Sequence, residues 1–276
     1  MIQNFHCGRF VLNAERPLIM GIVNLSDDSF SGDGLHGNRQ AAIAQAWRMI
    51  DEGAHILDLG AESSRPGATP VPVEQEIARL LPVIEALRDC GAPLSIDTVK
   101  PEVMRVALNA GADMINDINA LRTPGAIEIV AASQAAVCLM HMQGHPGTMQ
   151  DAPHYADIVG EVAGFISERV AAAEAAGIAR TRIAVDPGFG FGKTLEHNIE
   201  LFRRLGELVV PDLPLLVGMS RKSMLGLLTG REAADRLYAG VAAHVMAVER
   251  GARIVRVHDV AATRDALAVV QAVEDY

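Results

Sequence analysis

Short runs of aliphatic and β-branched residues alternate with longer amphipathic segments along almost the whole chain, and this alternation constrains the fold more than any other feature. The segments between the runs place apolar residues at helical spacing, as in residues 73–88. Eight runs are strand candidates: 18–24, 55–60, 93–97, 114–118, 136–142, 183–188, 215–220 and 254–259. Eight strand–helix units without a linker predict an α/β fold, a single (β/α)₈ TIM barrel, rather than an open doubly wound sheet.

A weak internal repeat supports this prediction. GAHILDLG begins at residue 53, GADMINDI at 111 and GARIVRVHD at 251. Each glycine suits the left-handed residue that closes a helix, and a strand candidate follows directly. We therefore expect residues 1–276 to form one domain, in which residues 1–16 are a short N-terminal extension or hairpin across the lower end of the barrel.

The composition limits the kinds of partner. Half of the residues are hydrophobic and only 4% are aromatic, which indicates a large aliphatic core. The formal net charge of −10 gives no general attraction to nucleic acid or anionic lipid, so an anionic ligand needs a local basic cluster. Three widely spaced cysteines argue against a disulfide framework, and we find no leader or membrane-spanning pattern. We expect a cytoplasmic protein that acts on small molecules.

Polar residues follow the strand candidates at the ends that share one rim in a barrel, where such folds place their chemistry. The rim set is Asn24, Asp58, Asp97, Asn116, Asp117, His141, Asp186, Ser220, Arg221, Lys222, Arg256 and His258. Its cations, together with Arg65, predict an anionic group on the ligand, whereas Asp97 and Asp186 predict a part that offers N–H donors. For Asp58 two interpretations stay open, a role in the site or hydrogen bonds to neighbouring loops.

The segment DPGFGFGKT (186–194) looks like a phosphate-binding loop but lacks its spacing. Pro187 stands where the first glycine of a P-loop belongs, and the glycines give GxGxG instead of the dinucleotide-binding GxGxxG. We expect Lys193 to be a solvated charge or part of a helix start. His141 and His145 lack the helical context of a zinc site, and GMSRK (218–222) lacks the closing glycine of a nucleophile elbow.

Eight motifs together resemble those of the dihydropteroate synthase family, in the family's order and over essentially the whole chain. They are MGIVNLSDDSFSGDG (20–34), ESSRPGA (62–68), IDTVKP (96–101), NDI (116–118), MHMQGHPGTMQ (140–150), DPGFGFGK (186–193), GMSRKS (218–223) and VRVHDV (255–260). The resemblance implies a TIM barrel that condenses 6-hydroxymethyl-7,8-dihydropterin diphosphate with 4-aminobenzoate. The products would be 7,8-dihydropteroate and pyrophosphate, in folate biosynthesis, and sulfonamides would mimic 4-aminobenzoate.

The resemblance implies roles for residues around the pterin. Asp186 should bind its amino and ring N–H groups, Lys222 should contact its carbonyl and N5 region, and Arg256 should lie against its face. The pterin set carried over is Asp97, Asn116, Ile118, Met140, Asp186, Gly190, Phe191, Gly218, Lys222 and Arg256, and the catalytic set is Asp97, Lys222, Arg256 and His258. We also expect Asp97 to stabilise the cation that develops on the pterin methylene.

The same resemblance implies positions for the other ligands. The diphosphate set is Asn24, Ser64, Arg65, Arg256 and His258, and Asn24 should also meet the cofactor Mg²⁺. The 4-aminobenzoate set is Phe30, Pro66, Ser220, Arg221 and Lys222. Its carboxylate should lie at a helix start that Ser220 caps. The family is usually dimeric, and the apolar late helix with Val241, Ala242, Val245 and Met246 should supply the interface.

The first loop departs from the family pattern NVTPDSFSDGG. Leu25, Ser26 and Asp27 replace VTP, the loop ends SGDG, and Ser64 stands where threonine is common. The changed loop leaves a non-catalytic pterin-binding homologue as one alternative. A methyltetrahydrofolate to corrinoid methyltransferase is a second alternative, although that enzyme has no use for the phosphate cluster.

Overall fold

Eight parallel strands close into a barrel in the computed structural model, which describes residues 4–25, 34–63, 69–145 and 147–274. An antiparallel hairpin of β1 (Asn4–Cys7) and β2 (Phe10–Asn13) precedes it. The barrel strands are β3 (Leu18–Asn24), β4 (Ile56–Gly60), β5 (Leu94–Asp97), β6 (Met114–Asp117), β7 (Ala136–Met140), β8 (Ile183–Asp186), β9 (Leu215–Val217) and β10 (Ala252–Val257). Neighbours follow chain order, and β10 pairs with β3 to close the ring. The predicted TIM barrel and its eight strands are confirmed.

Helices lie between the strands, as the fold requires. They are α1 (Gly34–Asp51), α2 (Val73–Leu87), α3 (Pro101–Ala110), α4 (Ala126–Ala131), α5 (Ile158–Ala175), α6 (Leu195–Arg203), α7 (Ser223–Thr229), α8 (Leu237–Glu249) and α9 (Val260–Glu274). Gly53, Gly111 and Gly251 have φ angles of 103°, 110° and 100°, so the repeated glycine does close helices as predicted. In the ranges described, no helix is both long and apolar enough to cross a membrane.

The N-terminal hairpin closes the lower end of the barrel, as expected. Phe5 and Cys7 are fully buried and pack against the inward residues of the lowest layer, such as Met114. Arg9 holds the hairpin in place because its Nε and Nη2 atoms each donate to the buried carboxylate of Asp113, both at 2.9 Å. The lower half of the interior is therefore a packed apolar core.

Inward side chains become polar near the carboxyl ends of the strands. Because successive strand residues face opposite sides, the inward positions of β4 are Ile56, Asp58 and Gly60, and Ile56 belongs to the lower apolar cluster. The same alternation places Asp97 and Asn116 inward, and these two are register partners on β5 and β6. One barrel thus carries an apolar floor and a charged upper layer.

Candidate active site

A half-buried arginine joins two strands across the upper layer of the barrel. The Arg256 Nε atom donates to Asp58 Oδ2 at 2.6 Å, and its Nη2 atom donates to Asp97 Oδ2 at 2.8 Å. Asn116 Nδ2 also donates to Asp58 Oδ2, at 3.2 Å. The structure therefore brings together three of the predicted pterin residues, and it adds Asp58, which the resemblance left without a role.

Burial and charge pairing act in opposite directions on this cluster. Burial raises the pKa of Asp97 to about 7, although the charge of Arg256 opposes the shift. Burial alone would lower the pKa of Arg256, but the charges of Asp58 and Asp97 overcome it and hold the pKa above its ordinary value. The guanidinium therefore stays charged, while Asp97 can change its protonation near neutral pH.

A second acid lies at the end of β8, and a second cation lies between β9 and α7. Asp186 is buried, and its Oδ1 atom accepts the Gly188 N–H at 2.7 Å. Burial raises the pKa of Asp186, whereas the charge of Lys222 lowers it. Lys222 Nζ donates to Phe189 O at 2.6 Å and lies 4.7 Å from the centroid of the Phe191 ring. Burial lowers the pKa of Lys222 to about 8, so its ammonium form still predominates at neutral pH.

The glycine-rich loop after β8 is held by side chains along its length. Gly188, Gly190 and Gly192 have φ angles of 69°, 82° and 60°, a region that glycine adopts without strain. Each carbonyl from 188 to 192 accepts a side-chain hydrogen bond: Gly188 and Phe191 from Lys193, Phe189 from Lys222, Gly190 from Gln150, and Gly192 from Tyr155. The glycines thus shape a fixed wall beside Asp186 rather than a phosphate cradle.

Lys193 corrects one sequence prediction. We expected a solvated charge or part of a helix start, but Lys193 is only 3% exposed and α6 begins at Leu195 with Thr194 as its cap. Its Nζ atom donates to Gly188 O and Phe191 O and lies 3.0 Å from His141 Nδ1. Burial lowers the pKa of Lys193 to about 7 and that of His141 to about 3. The prediction failed because local sequence reveals neither the distant contact with His141 nor the loop conformation that turns the carbonyls of Gly188 and Phe191 toward Lys193.

The apolar residues of the predicted pterin set also meet in one cluster. Ile118, Met140 and Phe191 pack together with Met142 and Met149. Gly218 lies beside Arg256, where an added Cβ would come within 3.5 Å of the arginine Cβ. Asp186, Asn116 and Lys222 line the polar side, so the mouth combines an apolar wall with fixed donors and acceptors, as a flat heteroaromatic ring would require.

The end of β9 and the end of β10 contact each other through side chains. Ser220 Oγ accepts the His258 backbone N–H at 3.2 Å and lies 3.0 Å from His258 Nδ1. The expectation that Ser220 caps the next helix is wrong, because Lys222 occupies the cap position of α7. Arg221 has a φ of 59° and donates to Asp259 Oδ1 at 2.8 Å. This edge of the mouth therefore carries one of the cations expected for an anionic group, Arg221, which is paired with Asp259 in this structure.

The remaining predicted residues fall into two groups. Asn24 is half-buried at the end of β3, on the rim, whereas Asp117 accepts the N–H groups of Asn119 and Leu121 and so supports a turn. Phe30, Ser64, Arg65 and Pro66 lie outside the described residues, as does most of the altered first loop. Asp58 belongs to the predicted rim set, and of its two open interpretations the contacts with Arg256 and Asn116 favour a role in the site.

Comparisons with known proteins agree with this geometry. The family model of pterin binding enzymes matches residues 20–258. A dihydropteroate synthase from Neisseria meningitidis serogroup C is 52% identical over 268 residues, which cover 95% of each chain. The structure of Xanthomonas albilineans dihydropteroate synthase with 4-aminobenzoic acid has a TM-score of 0.94 and 51% identity, and covers 100% of both chains. That of Burkholderia cenocepacia dihydropteroate synthase complexed with 7,8-dihydropteroate has a TM-score of 0.91 and 51% identity, covering 99% of this chain and 97% of the other. The chain therefore belongs to the pterin binding enzyme family and, within it, to the dihydropteroate synthases.

Proposed function

We propose that the protein condenses 6-hydroxymethyl-7,8-dihydropterin diphosphate with 4-aminobenzoate, giving 7,8-dihydropteroate and pyrophosphate for folate biosynthesis. The observation that carries this proposal is the convergence of Asp97, Asn116, Asp186, Lys222 and Arg256 on one barrel mouth. A relative holds 4-aminobenzoic acid and another holds 7,8-dihydropteroate, which are a substrate and the product of this reaction.

The pterin binds as a flat ring among fixed polar groups. Asp186 retains acceptor capacity beyond the Gly188 N–H, so its carboxylate accepts from the amino and ring N–H groups of the pterin. Lys222 donates to the carbonyl and N5 region. Arg256 presents a planar guanidinium to the face of the ring, and its two carboxylate partners fix that plane.

The charges of the upper layer favour the transition state. Asp58, Asp97 and Asp186 supply carboxyl groups, whereas Lys222 and Arg256 are the cations among them. When pyrophosphate leaves, positive charge develops on the pterin methylene and is shared with the ring. That charge lowers the pKa of Asp97 and favours its carboxylate, so the acid stabilises the cation electrostatically.

The second substrate attacks from the outer side of the mouth. The course is dissociative: the C–O bond to the diphosphate breaks first and pyrophosphate takes the bonding electrons. The neutral aniline nitrogen then forms the new C–N bond with the pterin methylene cation and loses a proton to water. Ser220, Arg221 and Lys222 receive the carboxylate of 4-aminobenzoate, so the Arg221 guanidinium exchanges Asp259 for the substrate. No strong general base is needed, because orientation and charge stabilisation lower the barrier.

Diphosphate binding rests on His258 and Arg256, together with Ser64 and Arg65 outside the described residues. Magnesium fits Asn24 as a single amide-oxygen ligand, because Mg²⁺ takes few protein ligands and completes its shell with water and phosphate oxygens. The ion would neutralise charge on the leaving group.

A homodimer and a cytoplasmic location stay predictions.

The test measures pyrophosphate release from the pterin diphosphate with Mg²⁺, with and without 4-aminobenzoate. We expect release that depends on 4-aminobenzoate and matches dihydropteroate formation. Asp186→Asn should lower kcat/KM by roughly a hundredfold, since two hydrogen bonds to a charged group are weakened. Asp151→Asn, which changes an exposed carboxylate, is the matched control. Pterin binding without pyrophosphate release would instead support the non-catalytic homologue. The second alternative, the methyltetrahydrofolate to corrinoid methyltransferase, is no longer supported, because the chain belongs to the dihydropteroate synthases.

A further inference from the structure

Asp58 is a fully buried acid to which the resemblance gives no role. It lies on β4 with 0% exposure, one inward position above Ile56 of the apolar floor. Its Oδ2 atom accepts from both Arg256 Nε and Asn116 Nδ2. Its Oδ1 atom is buried and has no hydrogen-bond partner among the described residues. A buried carboxylate that is only partly paired costs stability, so its presence calls for a reason beyond stability.

The contact with Asn116 fixes the orientation of an amide. A carboxylate oxygen that also receives the Arg256 Nε–H can only accept, so the NH₂ group of Asn116 must face Asp58. The carbonyl oxygen of Asn116 then remains to accept from a ligand. Without Asp58, the amide could rotate and present a donor where the pterin needs an acceptor.

The contact with Arg256 keeps a half-buried cation paired while Asp97 interacts with the pterin. Arg256 is shared between Asp58 and Asp97, and the proposed mechanism uses Asp97 at the pterin. When Asp97 turns its charge toward the ligand, Asp58 remains on Nε and holds the guanidinium in one plane. One acid thus orders two groups that contact the pterin from different strands.

We propose that Asp58 is a positioning residue for the pterin half of the site, acting through the amide of Asn116 and the guanidinium of Arg256. This inference rests on the proposed function and deepens it. Asp58 should affect the binding of the pterin diphosphate only, because neither of its two contacts involves Ser220 or Arg221, the proposed site of the 4-aminobenzoate carboxylate. A purely structural acid would affect both substrates alike.

The first experiment compares Asp58→Asn with wild type in steady-state kinetics for both substrates. We expect the KM for the pterin diphosphate to rise about tenfold to a hundredfold, with a smaller change in kcat and an unchanged KM for 4-aminobenzoate. Ser95→Ala is the matched control, because Ser95 is the register partner of Asp58, is equally buried, and its hydroxyl has no hydrogen-bond partner among the described residues. It should behave as wild type.

The second experiment measures pterin diphosphate binding by calorimetry without 4-aminobenzoate. The affinity should fall as the KM rises, and the effect of Asp58→Asn should shrink in an Asn116→Ala background, because one group acts through the other. If Asp58→Asn does not fold, Asp58→Glu keeps the charge but displaces the carboxylate, and it too should lose pterin affinity.

The outcomes separate this inference from the proposed function. An inactive wild-type enzyme would contradict the proposed function, while the binding measurement would still test Asp58. An active wild type with a folded Asp58 variant of unchanged pterin affinity would overturn the role of Asp58 alone. Equal rises in both KM values would also overturn it, since they would indicate a general loss of structure.

Discussion

Two side chains at the barrel mouth have protonation equilibria close to neutral pH. Burial lowers the pKa of Lys222 to about 8 and raises that of Asp97 to about 7. The proposed mechanism needs Asp97 as a carboxylate and Lys222 as an ammonium. Both protonation states predominate together only between about pH 7 and pH 8, so the pH dependence of activity should reflect the pKa values of Asp97 and Lys222.

We therefore expect kcat/KM to rise with pH through about 7 as Asp97 ionises and to fall above about 8 as Lys222 loses its proton. Asp97→Asn should lower kcat because the variant cannot balance the developing cation, and its profile should lack the acidic limb. The measurement is the pH profile of dihydropteroate formation for both proteins. A near-wild-type kcat at saturating substrate, or an unchanged acidic limb, would refute the role of Asp97.

His244 gives a prediction about stability. Burial lowers its pKa from 6.5 to about 4, and its Nε2 atom accepts the Met219 N–H. As pH falls from 6.5 toward 4, His244 binds a proton in the unfolded chain but not in the folded protein, so folding stability is lost. The His244→Gln variant has no titrating group at this position. Over this pH window its free energy of unfolding should therefore fall by up to about 3 kcal/mol less than that of the wild type. Urea unfolding at several pH values would show it, and parallel losses in both proteins would contradict it.

At the scale of elements, the loop of residues 187–192 depends on close backbone approaches. An added Cβ at Gly192 would lie 2.5 Å from Gln143 O, whereas one at Gly177 would meet nothing within 4 Å. Both glycines have positive φ angles, 60° and 94°, so alanine strains the backbone at either site. The two positions separate the cost of strain from the cost of a clash.

Gly177→Ala should cost about 1–2 kcal/mol of unfolding free energy and leave ligand binding unchanged. Gly192→Ala should cost more and should also weaken pterin binding, because the loop must move away from Gln143 and shifts Phe191 with it. Denaturant unfolding and calorimetric titration with pterin diphosphate measure the two effects. Equal stability and equal affinity in the two variants would show that the clash is relieved at no cost.

The elements themselves were largely predictable from sequence, because buried parallel strands read as continuous apolar runs. Strand β3 spans Leu18–Asn24, the predicted range, whereas β9 ends at Val217 and not at residue 220. There the chain leaves the ladder to reach the positive φ of Arg221, which no local pattern signals. Lys193 was missed for a related reason, since its burial depends on contacts with a loop some fifty residues earlier in the chain.

For the whole molecule, the two ends of the barrel have different tasks. The hairpin and the apolar floor close the lower end, while the charged layer and the loops occupy the upper end. Substitutions at the floor should therefore change stability first, and those at the mouth should change binding first.

The outer surface adds a third feature, because α7 and α8 expose large apolar side chains: Leu227, Leu228, Tyr238 and Met246.

This apolar surface leads to the last prediction, which concerns assembly. Tyr238 is 85% exposed, and a dimer that buries α8 would cover it. We expect the wild-type protein to sediment as a dimer at micromolar concentration. Tyr238→Glu should sediment as a monomer, because an unpaired carboxylate is costly to bury in an apolar interface. Val11→Glu makes the same change at a 62% exposed position on the hairpin and should leave the dimer intact. A monomeric wild type, or a Tyr238→Glu protein that still dimerises, would exclude α8 as the interface.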